Sequence, residues 1–102
     1  MSNHDFGPLA TQYPALIASM PAEFRAHEFI LRLAQQNQRL YVEALYAYKD
    51  NPASGAPTPF LIVHRMLAKR LSDFPHLVKY QGDVPSKDMF GNESKCSQWK
   101  KL

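Results

Sequence analysis

The chain has 102 residues, 45% hydrophobic and 21% charged, enough for one ordinary domain and too few for a second core of useful size. A single cysteine, Cys96, excludes an intramolecular disulfide. With no basic and apolar leader and no long apolar run, secretion and membrane insertion lack support and a cytoplasmic setting is expected. The net charge of +3 is uneven: residues 1–50 carry four Lys/Arg against five Asp/Glu, and residues 51–102 carry eight against four. A local basic excess suits a polyanion surface, or simply a solvated face.

Residues 1–8 read as a mobile terminus, with Gly7-Pro8 a natural break and a single globular domain over 9–102. Leu9, Tyr13, Leu16, Ile17 and Met20 recur at helical spacing, and Pro14 favours a short helix starting there. Met20-Pro21 breaks it. From Phe24 to Tyr48 the apolar positions Phe24, Phe29, Ile30, Leu33, Leu40, Tyr41, Ala44, Leu45 and Tyr48 follow helical spacing, interrupted by Gln35-Gln36-Asn37-Gln38. One continuous helix would bury the Asn37 amide, so two helices meeting near Asn37 are expected.

Asp50 to Pro57 is rich in turn formers and predicts an exposed connector. Thr58-Pro59 then supplies an N-cap hydroxyl and a first-turn proline, and Phe60, Val63, Leu67, Leu71 and Phe74 make one apolar face of a helix that Pro75 stops. Arg65 and Lys69 point away from that face, with His64 and Arg70 on its flanks. Leu61 and Ile62 also point away, so the start of this helix is expected to pack on a second element or a partner.

Beyond Pro75, Leu77-Val78-Lys79-Tyr80 alternates like a strand and Gly91-Asn92 is a hairpin signal. Two registers are open. In one, Phe90 faces Glu93, Asp88 faces Lys95 and Val84 faces Trp99, although Pro85 cannot donate to a ladder. In the other, Val78 to Tyr80 pairs with Ser97 to Trp99 below a long irregular tip spanning Asp83 to Lys95.

His4, His27, His64 and His76 are scattered and Cys96 stands alone, so neither zinc spacing nor any other metal or cofactor motif is present. His27 reads as a surface residue or a satisfied interior histidine, His76 as a helix cap, and Cys96 as a small strand residue. Gly7, Gly55, Gly82 and Gly91 are isolated, without a nucleotide or hydrolase signature, and no enzymatic activity is expected. The aromatic residues sit mainly at core spacing.

The expected fold is mainly α with a small carboxy-terminal β-hairpin, an α+β domain of three or four helices. Helix, helix, loop, a capped basic helix over Thr58 to Phe74 and a basic hairpin in that order resemble a winged helix-turn-helix domain, over roughly Pro21 to Leu102. The resemblance implies a double-stranded DNA-binding module. Arg65 and Lys69 would approach base edges or phosphates in the major groove, and Lys87 and Lys95 on the wing would meet the backbone or minor groove. Asp73, Asp83, Asp88 and Glu93 lie close to those cations and weaken the wing's charge. The alternative is a protein-interaction or homodimerisation module using Leu61 and Ile62 or the hairpin aromatics.

Overall fold

A computed structural model of the chain describes residues 5–49, 59–87 and 91–102. The order of elements is α1 (Gly7–Ala10), α2 (Tyr13–Ser19), β1 (Glu23–Arg25), α3 (Ala26–Gln36), α4 (Gln38–Ala47), α5 (Pro59–Arg70), a 3-10 turn (Leu71–Asp73), β2 (Val78–Lys87) and β3 (Glu93–Lys101). The strands form one antiparallel sheet ordered β1-β3-β2. This α+β arrangement is compatible with a winged-helix-like one, and no helix among the described residues is long and apolar enough to cross a membrane.

The packed chain begins upstream of Leu9. Phe6 is buried with its ring stacked 6.4 Å from that of Tyr48, and Gly7-Pro8, expected as a break, opens α1. Proline is tolerated there because first-turn N–H groups have no intrahelical partner. The same reasoning lets α2 start at Tyr13, one residue before Pro14. Met20 ends α2 in extended geometry before Pro21. Cations cap the last turn of α2: Arg32 donates to the Ser19 carbonyl at 3.2 Å, and Lys101 Nζ donates to those of Ala18 and Met20 at 3.0 and 2.8 Å.

The largest departure from the sequence pattern is β1. Phe24, at helical spacing with Phe29 and Ile30, is a strand residue opposite Trp99, and its ring stacks on Phe29 at 5.8 Å. Helix α3 starts only after it, with the Arg25 N–H donating to the Glu28 carboxylate at 3.3 Å. The helices do part at Asn37, whose φ of −135° and ψ of 52° leave the helical region while its side-chain amide donates to the Leu33 carbonyl at 3.1 Å. The half-buried amide is thereby satisfied.

Helix α5 buries Val63 and Leu67, and the 3-10 turn adds Leu71, so the regular helix ends before Phe74. Phe60 is 41% exposed and lies at the margin of the apolar face, whereas Ile62 packs against the core. The expected Thr58 cap, the Asp50 to Pro57 connector and the Leu61 side chain lie outside the described residues. The buried Tyr13 hydroxyl donates to the Leu67 carbonyl at 2.7 Å and ties α2 to α5. Burial in the core raises the hydroxyl's pKa, so it stays protonated.

The hairpin adopts neither anticipated register. Tyr80 pairs with Trp99, a bulge at Gln81-Gly82 shifts the ladder, and Val84 then faces Cys96, Pro85 faces Lys95 and Lys87 faces Glu93. Val84 therefore does not meet Trp99. Pro85 is accommodated because β2 is an edge strand, where a missing donor breaks no ladder bond on the solvent side. Gly82 has φ of +106°, a value that side chains rarely allow, and this permits the bulge. Asp88 and Phe90 lie outside the described residues.

Candidate functional site

Residues four apart on a helix stand one turn above each other, and Arg65 and Lys69 are accordingly both exposed on α5. The central strand β3 passes close to this helix and to the start of α3. Ala26, His27, Ile30, His64, Arg65, Ala68 and the run Glu93 to Ser97 line a cleft of about 590 Å³ between the three elements. Two sequence-predicted cations, Arg65 and Lys95, thus share one cavity although they come from different elements. Lys69 does not line the cleft and lies one turn beyond Arg65. Lys87 stands at its rim, opposite Glu93 in the ladder, on the same face as Lys95 because their partners are two positions apart.

The nearby carboxylates are mostly engaged. Asp73 pairs with Arg70 at 3.3 Å, and Asp83 accepts from the Tyr80 hydroxyl at 2.7 Å, a bond that raises the Tyr80 pKa. Glu93 lies 3.9 Å from Lys87, and both ends of that pair are well exposed, so solvent screens it. Arg65, Lys69 and Lys95 form no ion pair among the described residues.

Two histidines brace the cleft. His27 Nδ1 lies 2.9 Å from the Lys87 carbonyl oxygen and 3.1 Å from the hydroxyl of the buried Ser86. A carbonyl only accepts, which assigns the proton to Nδ1. His27 is therefore a satisfied, half-buried histidine that fastens the turn end of the hairpin to α3. His64 Nε2 lies 2.6 Å from the Tyr41 hydroxyl, with the rings stacked at 5.8 Å. Burial pushes the Tyr41 pKa up to about 12, so the hydroxyl remains a donor at neutral pH and ties α4 to α5.

The remaining candidates fall elsewhere. His76 is exposed beside Phe74, at 6.5 Å between rings, and makes no capping hydrogen bond among the described residues. Cys96 is buried on β3 across from Val84. No group of three or more His, Cys, Asp or Glu side chains that could hold a metal ion occurs among the described residues. The role of His27 was not legible from its neighbours, since its partners are about sixty positions away. No protein-family model matches the chain, and neither a curated protein nor a solved structure matches it, so the chemistry of the site rests on its own residues.

Proposed function

We propose that the chain is a non-enzymatic DNA-binding module of winged-helix type, in which α5 meets the duplex and the β2–β3 hairpin serves as the wing. The observation that carries this reading is the convergence of Arg65 and Lys95 on one cleft without a carboxylate partner among the described residues. Lys69 and Lys87 extend the cationic surface to either side. Arg65 and Lys69 meet base edges or phosphates, while Lys87 and Lys95 meet the backbone or the minor groove. The element order and the strand order β1-β3-β2 support the same assignment.

Each neutralised phosphate releases condensed counterions, so four such contacts give a slope of about −3.6 in log affinity against log salt. Fluorescence anisotropy of a short labelled duplex, titrated at several salt concentrations, measures that slope. The double variant Arg65→Ala, Lys69→Ala lowers affinity and flattens the slope by about two contacts' worth. Arg39→Ala, at a cation paired with Glu43 on α4, leaves both unchanged. Absence of salt-sensitive binding by the unaltered chain at low ionic strength overturns the proposal.

A second reading, a protein-interaction or homodimerisation module, is favoured by the exposed apolar residues of α4. Val42 and Tyr46 are four apart and 58% and 68% exposed. Sedimentation at increasing concentration tests self-association, with Tyr46→Lys expected to abolish any dimer.

A further inference from the structure

We infer that the cleft between α3, α5 and β3 binds the phosphate end of a small nucleotide-sized ligand, and that this ligand competes with DNA for Arg65 and Lys95. The competition rests on the DNA reading, whereas the ligand site does not. Beyond the surface they offer a duplex, Arg65 and Lys95 both line a concave space of about 590 Å³, within the roughly 300–1,000 Å³ typical of small-molecule sites.

The lining divides by chemistry. Arg65 offers a planar fork of donors and Lys95 a point charge, and they approach from different elements, which suits the several oxygens of a phosphate better than a single carboxylate. Ser97 Oγ accepts from the Trp99 indole at 2.8 Å, which leaves its own hydroxyl proton to donate. Ala68 is the accessible part of an apolar wall backed by the buried Ala26 and Ile30, and its small side chain leaves room for a ring system beside the cations. Glu93 is the cleft's carboxylate and limits how much negative charge the site tolerates.

Adenosine 5′-monophosphate, adenosine and inorganic phosphate separate these contributions when titrated into isotopically labelled protein and followed by amide chemical shifts. The monophosphate is expected to give saturable shifts at Ala26, His27, Arg65 and Ser94 to Ser97, with adenosine binding at least about tenfold more weakly, the loss expected for one charge-assisted contact. Arg65→Gln, at an exposed position, lowers the affinity for the monophosphate by at least about tenfold with an otherwise unchanged spectrum. Ala68→Leu narrows the apolar wall and removes the monophosphate's advantage over inorganic phosphate. The site is overturned if no ligand gives saturable shifts there, or if inorganic phosphate binds as tightly as the monophosphate.

Competition is read from the labelled duplex. At matched ionic strength the monophosphate displaces it and adenosine does not. Displacement by neither, with both duplex and monophosphate bound, overturns the competition. Failure of the duplex to bind, with the monophosphate still seated in the cleft, overturns the DNA reading and the competition and leaves the ligand site standing.

Discussion

His27 holds the backbone of Lys87: its Nδ1–H meets the Lys87 carbonyl oxygen at 2.9 Å, joining the start of α3 to the end of β2. The buried Ser86 hydroxyl, 3.1 Å from the same nitrogen, also donates to the Lys87 carbonyl at 3.2 Å. Removing the ring deletes the hydrogen bond between α3 and β2 while the Ser86–Lys87 bond remains, so His27→Ala is expected to lower stability by about 1 kcal/mol in urea denaturation. In the DNA assay the same variant weakens binding although no cation is removed, because the hairpin bearing Lys87 and Lys95 is no longer fixed beside Arg65. Unchanged stability would show that the contact contributes nothing to the fold.

Alkaline pH provides a second test. The Tyr13 and Tyr41 hydroxyls both ionise near 10 when unfolded, and burial raises both in the fold, Tyr41 to about 12 and Tyr13 further. The unfolded chain therefore releases protons that the folded chain retains, and stability is full below pH 10 and declines as pH rises above it. Tyr13→Phe and Tyr41→Phe each flatten this decline. Tyr13→Phe also costs about 1 kcal/mol at neutral pH through loss of the bond to the Leu67 carbonyl. A pH profile with the same slope in all three proteins refutes the assignment.

At Gly82 the consequence is conformational. An added Cβ meets nothing within 4 Å, so Gly82→Ala tests the backbone at φ +106° alone. A loss of about 1–3 kcal/mol is expected. Equal thermal stability of the two proteins would mean that the bulge relaxes without strain.

Glu93 opposes the cationic rim. Glu93→Gln removes its charge from beside Lys87, and its exposed position keeps the effect on stability small. Duplex affinity is expected to rise and the salt slope to steepen by up to about one contact. Weaker binding by this variant would indicate that Glu93 orients Lys87 productively.

Most helices were legible because their apolar spacing is long and periodic, and Asn37 marked its break through the cost of burying an amide. Three-residue β1 carries no period, and Phe24 fits helical spacing by coincidence; only its distant partner Trp99 makes it a strand. The hairpin register turned on a bulge at Gln81-Gly82 that shifts every later pair by one residue. The exposed cations Arg65 and Lys69 could be read from helix geometry. The meeting of Arg65 with Lys95 in one cleft, and that of His27 with Lys87, depends on how the hairpin crosses the helices, which no local pattern encodes.

The central strand of the sheet is also the last element in the sequence. β1 waits for a partner about 75 residues downstream, and β2 closes only when β3 folds back on it. During synthesis the Phe24 side chain therefore has helices but no strand to pack against until residues near Trp99 have left the ribosome. No pair in the sheet can form without β3, which supplies the partner edge for both other strands.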